Sequence, residues 1–248
     1  MKTIKSTLLS PYKNLMHAYT TRLDGNSHFG NNLAYHVNDI IEDVDRNQYE
    51  LALHLDYSFE SLIHMNQVHR DKIVSINDST EVGEIPICDA VMTQEKNRPL
   101  MVMVADCIPV LIYDPVQEAI AAVHAGRAGI FTEIIPKSIK KMQKNYGSKE
   151  KDLLIVLGPS IHQCCYEVGA DIRDLSVNSG YGYAIRSDRG RYYLDLISIA
   201  NKQLEACGIE NKHIEISSLC TACNTDTFYS YRAEKNNCGR FAGVIMLK

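Results

Sequence analysis

Two histidines and one cysteine stand beside short polar motifs, at points where we expect strands to end. They are His69 in Asn-Gln-Val-His, Cys107 in Ala-Asp-Cys and His124 in His-Ala-Gly. One thiolate and two neutral imidazoles suit Zn²⁺, and three protein ligands leave a fourth position for water or substrate, as in catalytic sites. Spacing alone leaves a second interpretation open, in which the cysteine packs as a small hydrophobe and the histidines are simply hydrogen-bonded.

A second group of cysteines could carry redox or metal chemistry. Cys220 and Cys223 form a Cys-x-x-Cys pair, which is typical of a redox pair or of half a zinc site. No second pair of this kind occurs, and no histidine follows Cys223. The sequence therefore favours packing roles for this pair, and packing rather than a vicinal disulfide for the adjacent Cys164 and Cys165.

Two arginines are candidates for binding an anion. Arg127 follows His124-Ala-Gly where we expect a helix to begin, and free backbone N–H groups there could cradle a phosphate. A simple strand-to-helix turn explains the same residues equally well. Arg232 ends the stretch Phe-Tyr-Ser-Tyr-Arg, whose aromatic rings could clamp a flat base, or could equally be a core strand with a surface arginine.

Composition excludes several classes of protein. The chain has 248 residues, of which 45% are hydrophobic and 23% are charged, with a formal net charge of −4. That charge gives no footprint for nucleic acid. We expect no membrane span, because no run of about 18 apolar residues occurs, and no signal peptide, which makes the cytoplasm the expected location. Turn signals are spread evenly, so one domain over residues 1–248 is predicted.

Hydrophobic periodicity predicts strands and helices that alternate but also form hairpin-like pairs. This combination favours an α/β or α+β fold with mixed sheets covered by helices, rather than a pure doubly wound fold. Pro136 predicts a kink, or a restart of the helix, inside the helix predicted at residues 126–146. The predicted helices are residues 40–55, 126–146 and 194–206, and the predicted strands are residues 61–67, 100–105, 108–113, 119–123, 152–157, 214–217 and 243–247.

A series of motifs in fixed order resembles the YfiH family. The motifs are Thr21-Arg22, Asn32 to Asp39 (NLAYHVND), NQVH, CDAVMT, ADCIPVLIYDP, AVHAG, GPSIHQCCYEVG, YLDL, FYSYR and CGRFAGVIML. The resemblance covers the chain from about residue 20 to its end. Members are described as laccase-domain proteins or multicopper polyphenol oxidases, as peptidoglycan editing factor, and as purine nucleoside phosphorylases.

The resemblance implies a single αββα-type domain, grouped with cysteine hydrolases, in which His69, Cys107 and His124 hold Zn²⁺, with Cu²⁺ as the alternative metal. It implies phosphorolysis of adenosine, inosine, guanosine and methylthioadenosine, with added adenosine deaminase activity. The partners would then be small molecules, a purine nucleoside and phosphate. Besides the three ligands, the candidate catalytic residue is Arg127, and the candidate substrate-binding residues are Arg22, Asn32, His36, Gln67, Asp106 and Arg232.

The chain departs from the family pattern at two places. The family usually has His-Ala-Gly-Trp-Arg-Gly, whereas this chain has Arg127 at the Trp position and Ala128 in place of the Arg. Arg70 replaces the glycine that usually follows NQVH. Both changes leave the three ligands intact. They make Arg127 or Arg70 the candidate substitute for the missing arginine.

Three alternatives to a zinc-dependent phosphorylase and deaminase have different chemistry. A copper oxidase is disfavoured, because multicopper sites need many histidines and this chain has nine, none in a His-x-His pair. A cysteine hydrolase or amidase acting on a cell-wall precursor would use Cys107 as nucleophile with His124 or His69 as base. A purely partner-binding role has no positive support and leaves the polar strand ends unexplained.

Overall fold

The computed structural model describes residues 1–25, 27–77, 85–235 and 237–248. In these ranges the helices are α1 (Ile41–Leu55), α2 (Arg127–Phe131), α3 (Ile134–Tyr146), α4 (Ala170–Asn178), α5 (Leu196–Ala206) and α6 (Tyr231–Glu234). The strands are β1 (Thr3–Ile4), β2 (Leu15–Thr20), β3 (Ile73–Ser75), β4 (Ala90–Thr93), β5 (Leu100–Val104), β6 (Ile108–Asp114), β7 (Ala119–Ala125), β8 (Leu154–Leu157), β9 (Glu167–Val168), β10 (Ile185–Asp188), β11 (Arg191–Leu194), β12 (Ile214–Ile216) and β13 (Phe241–Leu247).

The strands form three sheets. Sheet A has the order β1-β2-β13-β5, and its neighbouring strands are antiparallel. Sheet B has the order β12-β8-β6-β7-β4-β3 and is mixed, with parallel pairs at its two ends. Sheet C, β10-β11-β9, is a small antiparallel sheet. The mixed-sheet prediction is confirmed.

Sheets A and B pack face to face, with β5 and β13 against β6 and β7. Every residue of these four strands is buried, which explains their unbroken hydrophobic sequences. Helices α2, α3 and α5 cover the outer face of sheet B, where Ile135, Ile139 and Leu204 join Val110 in one apolar cluster. Helix α1 adds residues to the cluster that contains sheet A. The layer order is therefore αββα, as the family resemblance implies.

Most predicted elements match observed ones, but the strand predicted at residues 61–67 is wrong. Ile63 pairs with Leu100 of β5, and Asn66 pairs with Ile87, as two isolated bridges. The segment leaves one partner after a single pairing and takes another, so it forms no ladder. It carries the chain past the end of β5 to His69.

The helix predicted at residues 126–146 is two helices. Glu133 has a left-handed backbone, φ 60°, which separates α2 from α3. Pro136 is the third residue of α3, where a backbone N–H would have no partner within the helix, so proline is tolerated there. The predicted restart therefore occurs, two residues before the proline.

The turn at residues 105–107 moves the chain from one sheet to the other. Strand β5 lies in sheet A and β6 lies in sheet B, so the two apolar runs are separate strands rather than one bent strand. Asp106 takes a positive φ of 89° within this turn. Cys107 is consequently held where the two sheets meet. None of the helices in the described ranges has the length and hydropathy of a membrane-crossing segment.

Candidate active site

The structure brings His69, Cys107 and His124 together. One ligand atom from each lies within 4.8 Å of the others. His124 is in β7 and Cys107 immediately precedes β6, its antiparallel neighbour, while His69 lies on the segment that follows the isolated bridges. The two imidazole rings meet edge to face, with centroids 4.6 Å apart. This group could hold a metal ion.

Asp89 holds two of the three residues in place, one through its side chain and one through its backbone. Its Oδ1 lies 2.8 Å from His124 Nδ1 and also accepts the backbone N–H of His69 at 2.8 Å. Its Oδ2 accepts the N–H groups of Arg70, at 2.8 Å, and Val68, at 3.3 Å. Because a carboxylate oxygen only accepts, His124 Nδ1 carries a proton and Nε2 is left to bind a metal.

The charges within the group favour a thiolate. Burial acts to raise the pKa of Cys107, but the neighbouring His124 and His69 outweigh burial and lower this pKa to about 6. Burial acts to lower the pKa of His124, but Cys107 and Asp89 raise it to about 9. Without a metal the pair is therefore a thiolate beside an imidazolium. A divalent cation would displace the imidazolium proton and would become the positive partner of the thiolate.

Gly126 makes room beside the three ligands. A Cβ at this position would lie 3.1 Å from Cys107 Sγ, 3.4 Å from His69 Cδ2 and 3.6 Å from His124 Cε1. Its φ of −77° is open to any residue, so space rather than backbone conformation requires glycine. The soft thiolate, two imidazoles and a gap without a side chain fit Zn²⁺ or Cu²⁺.

A cavity of about 710 Å³ opens onto the three ligands. This volume suits a drug-sized or nucleoside-sized ligand. The polar part of its wall holds several groups that could bind an anion or a base edge, and two tyrosines add flat apolar faces. Besides the three ligands, the lining residues are His36, Met65, Asn66, Gln67, Met103, Val104, Ala105, Asp106, Tyr166, Tyr231, Arg232 and Arg240.

Four of the predicted substrate-binding residues line this cavity: His36, Gln67, Asp106 and Arg232. Gln67 exchanges two hydrogen bonds with the backbone of Met103, at 2.8 and 2.9 Å, and so extends the edge of β5. The His36 pKa is lowered by burial and by the nearby Arg240 and His69. This histidine is therefore neutral near pH 7.

Asp106 is occupied by the chain itself. Its Oδ1 accepts the hydroxyl groups of Thr221, at 2.6 Å, and Ser230, at 2.7 Å, and its Oδ2 accepts the backbone N–H of Arg232 at 2.6 Å. The carboxylate thus joins the turn before β6 to two loops near the carboxyl end. These bonds position the cavity wall.

The other predicted residues lie outside the cavity lining among the described residues. Arg22 Nη1 contacts Glu234 and the Thr225 carbonyl, each at 2.8 Å. Asn32 is fully buried, and its Oδ1 accepts the backbone N–H of Arg240 at 2.9 Å. These contacts shape loops beside the cavity, and the predicted substrate roles of Arg22 and Asn32 stay predictions.

The comparison with protein families decides the membership of the chain. Residues 16–248 match the family described as multi-copper polyphenol oxidoreductase laccase. The chain belongs to this family, the laccase-like or YfiH family.

Curated relatives of this YfiH-family chain carry one activity in their names. A "Purine nucleoside phosphorylase" of Bacteroides thetaiotaomicron is 32% identical, over 96% of this chain and 94% of its own length. A purine nucleoside phosphorylase of Corynebacterium glutamicum is 33% identical, over 92% of this chain and 93% of its own. The Bacillus subtilis relative named "Purine nucleoside phosphorylase YlmD" is 29% identical, over 88% and 82%.

Solved YfiH-family structures have the same fold. A Bacillus licheniformis protein titled hypothetical protein YfiH superposes with a TM-score of 0.89 at 30% identity, covering 94% of this chain and 93% of that one. YlmD from Geobacillus stearothermophilus gives a TM-score of 0.88 at 28% identity, covering 96% and 93%. The αββα prediction is thereby confirmed.

Arg127, at the departure from the YfiH pattern, is the first residue of the short helix α2. It is close enough to Tyr166 to lower the pKa of that phenol, although burial, the larger effect, leaves the Tyr166 pKa raised overall. Arg127 is therefore near Tyr166, which lines the cavity, but is not itself one of the lining residues. Its predicted catalytic role stays a prediction.

Sequence reasoning missed Asp89 and Arg240. Asp89 lies in the CDAVMT motif, directly before β4. An aspartate that enters a fully buried strand needs partners, and that need was the available signal. Arg240 precedes β13 in a Cys-Gly-Arg motif, but nothing local to that motif indicates a cavity.

Proposed function

We propose that this chain is a zinc-dependent purine nucleoside phosphorylase, built as one domain over residues 1–248. The observation that carries the proposal is a single cavity that has the His69, Cys107 and His124 group on its wall together with Arg232 and Arg240. The relatives named as purine nucleoside phosphorylases support the same substrate class. Adenosine, inosine, guanosine and methylthioadenosine are the proposed nucleosides.

The cations on the wall suit the phosphate substrate. Guanidinium groups bind phosphate oxygens through paired N–H donors. Arg232 Nη1 donates to the Glu167 carbonyl at 2.6 Å, and its guanidinium carbon lies 5.0 Å from the Tyr166 ring centroid. Arg240 Nη1 donates to the carbonyls of Cys238 and Gly239. Both guanidinium groups are thus held in place through Nη1, and in the described part of the chain their other N–H groups have no hydrogen-bond partner and can bind phosphate.

The nucleoside would lie against the flat side chains. Tyr166 and Tyr231 offer faces on which a purine can stack, and Asn66 has an amide on the same wall. In the reaction, a phosphate oxygen forms a bond to ribose C1′ while the bond from C1′ to the base nitrogen breaks. The base leaves with that electron pair and takes up the proton that the attacking hydrogen phosphate gives up. His36, neutral near pH 7, is the proposed donor of a hydrogen bond to the leaving base.

The metal has a supporting part in this scheme. His69, Cys107 and His124 would hold it, and Asp89 would keep His124 in the tautomer that binds. When bound, Zn²⁺ supplies Lewis acidity at one end of the cavity. The same acidity underlies the proposed adenosine deaminase activity, since zinc deaminases use it to activate the water that attacks the purine ring.

The test measures products with purified protein loaded with zinc. Inosine with phosphate should give hypoxanthine and ribose 1-phosphate in equal amounts, and adenosine without phosphate should give ammonia and inosine. Cys107→Ala should lose both activities while its circular dichroism is unchanged, and Cys207→Ser, which changes a thiol away from the cavity, should keep them. Full activity in Cys107→Ala would reject the metal role.

A copper-dependent phenol oxidase is the alternative implied by the family description. Cu²⁺ binds most nitrogen and sulfur sites more tightly than Zn²⁺. Metal analysis of protein purified without added copper separates the two. Zinc rather than copper, with no phenol oxidation, is the expected result.

A cysteine hydrolase is the second candidate, and one observation favours it. Cys107 is placed as the nucleophile, His124 as its base, and Asp89 as the carboxylate that orients the base. The charges around Cys107 already favour its thiolate form. A metal-bound thiolate is a poor nucleophile, so the two proposals compete for the same sulfur. Alkylation of Cys107 by iodoacetamide only after a chelator is added supports zinc, and equal alkylation before and after supports the hydrolase.

A further inference from the structure

Four cysteines outside the active site meet on one side of the molecule. Cys164 and Cys165 follow β8, and Cys220 and Cys223 follow its parallel neighbour β12. Ser160 pairs with Cys220 in an isolated bridge just past these strands, and the Thr221 N–H donates to the Ser160 carbonyl at 3.0 Å. Sheet B thus brings both loops to the same place. The packing roles predicted from sequence did not anticipate this convergence.

The four sulfurs are spaced like the corners of a tetrahedron. Cys164 Sγ lies 3.7 Å from the Sγ atoms of Cys165, Cys220 and Cys223, and Cys165 Sγ lies 3.3 Å from that of Cys223. All four lie within 4.8 Å of one another. Four sulfurs at Zn–S distances of about 2.3 Å would have edges of about 3.8 Å. A disulfide needs about 2.05 Å between two sulfurs, so this spacing fits a shared cation better.

The chain provides a donor for a thiolate at one corner. The His162 N–H donates to Cys220 Sγ at 3.4 Å. Four adjacent thiolates need a bound cation, and zinc removes the protons of coordinating thiols outright.

We propose that Cys164, Cys165, Cys220 and Cys223 form a second metal site, which holds a structural Zn²⁺ through four sulfur ligands. All four tetrahedral positions come from the protein, so the site is closed and holds no substrate. It is separate from the group of His69, Cys107 and His124. It stands independently of the proposed phosphorylase activity.

The proposed second metal site would hold in place two loops that support the wall of the cavity. Tyr166, which lines the cavity, follows Cys165 directly, and the Cys165 carbonyl lies 3.5 Å from Arg232 Nη1. Thr221, next to Cys220, donates to Asp106. A metal that joins the two loops therefore holds Tyr166 and Asp106 at fixed positions. Its removal should loosen both loops together.

Zinc content per chain tests the proposal. Protein made with ample zinc and kept reduced should carry two zinc ions, and the Cys164→Ser/Cys223→Ser and His69→Ala/His124→Ala variants should each carry one. Cys207→Ser should keep two, which controls for the loss of a thiol. X-ray absorption of the His69→Ala/His124→Ala protein should give four sulfur neighbours at about 2.3 Å.

A second measurement uses the unaltered chain, so the test survives a variant that fails to fold. Cys164 and Cys223 are exposed. In zinc-loaded protein they should nevertheless resist iodoacetamide, and they should be alkylated once a strong chelator removes the metal. A single zinc per chain that is lost in His69→Ala/His124→Ala would overturn the proposal. Rapid alkylation without metal release would also overturn it. So would disulfides among the four cysteines in protein kept under reducing conditions, or iron bound in place of zinc.

Discussion

The Asp89 carboxylate lies 2.8 Å from His124 Nδ1 in a place where the two side chains are 0% and 2% exposed. The same oxygen accepts the backbone N–H of His69. One acidic side chain thus sets the ring orientation of one candidate ligand and the loop conformation of another, which has a left-handed φ of 58°. Two of the three candidate metal ligands are therefore held by the same carboxylate.

Replacement of Asp89 by Asn should weaken metal binding. The neutral amide loses the charge that supports His124, and its NH₂ group faces N–H donors that need an acceptor. Loss of a residue that hydrogen-bonds a metal ligand typically costs about 10–100-fold in metal affinity. The readout is the free zinc concentration that half-protects Cys107 from alkylation, measured on the Cys107 peptide by mass spectrometry. Asp174→Asn, an exposed aspartate paired with Arg173, is the control, and equal protection in both variants would contradict the expectation.

A methyl group at residue 126 should push the ligands apart. Gly126→Ala places a Cβ 3.1 Å from Cys107 Sγ, so the sulfur must shift by a few tenths of an ångström. Metal–ligand distances tolerate about 0.2 Å, and we expect at least about tenfold weaker zinc protection of Cys107. Gly182→Ala makes only ordinary contact with Val177 and is the matched control. Zinc protection as strong as that of the wild type would show that the gap beside Gly126 is not needed.

The elements that the sequence predicts best are those buried on both faces. Strands β5, β6 and β7 are short apolar runs bounded by turn residues, and their length, flanking residues and content of Val and Ile together predict buried strands. The assignment of β5 and β6 to different sheets depends on the backbone of Asp106, which no hydrophobic pattern reports. Sheet C has half-exposed strands of two to four residues, and such strands leave little periodicity to detect.

The candidate site likewise has some residues that the sequence predicts and others that it does not. The sequence predicts His69, Cys107 and His124 because their residue types are chemically distinctive and their motifs resemble a known family. Asp89 and the meeting of four cysteines depend on contacts between segments that are distant along the chain. The partnership of Cys164 with Cys223 arises from the parallel pairing of β8 with β12, a tertiary feature that spacing does not encode.

Glu215 should make the stability of the fold depend on acid pH. Its carboxylate accepts the Leu8 N–H at 2.6 Å and the hydroxyls of Ser6 and Thr7. Burial acts to raise the pKa of Glu215, but these donors lower it below its usual value. A lowered folded-state pKa gives stability that is present above about pH 4.5 and lost as the pH falls through the folded pKa.

Urea unfolding of Glu215→Gln tests this expectation. At pH 7 the variant should lose about 1.5–3 kcal/mol of unfolding free energy, the usual range for hydrogen bonds to a charged group. The difference from the wild type should shrink as the pH falls below about 4.5. Glu42→Gln, in the exposed first turn of α1, should change stability by only a few tenths of a kcal/mol. A constant difference from pH 7 to pH 3 would contradict the role of the Glu215 charge.

Arg240 should control the use of phosphate if the chain is a phosphorylase. Arg240→Gln removes a charge from the cavity wall, and a charged hydrogen bond of about 1.5–3 kcal/mol corresponds to a rise of about 10–150-fold in KM for phosphate. Arg240→Lys should recover part of the loss. Arg186→Gln, at an exposed arginine paired with Asp188, should leave the KM for phosphate unchanged. An unchanged KM for phosphate in Arg240→Gln would place the anion elsewhere, with Arg232 as the next candidate.

Tyr166 should bind the purine through its ring rather than its hydroxyl. The ring lines the cavity and lies beneath the Arg232 guanidinium, and stacking of a base on an aromatic ring contributes about 1–3 kcal/mol. Tyr166→Ala should therefore raise KM for inosine by roughly 5–150-fold, whereas Tyr166→Phe should stay close to the wild type. Steady-state kinetics with saturating phosphate separate KM from kcat, and Tyr183→Ala, outside the cavity, controls for the loss of a half-exposed ring. Equal losses in the Ala and Phe variants would assign the effect to the hydroxyl and reject stacking.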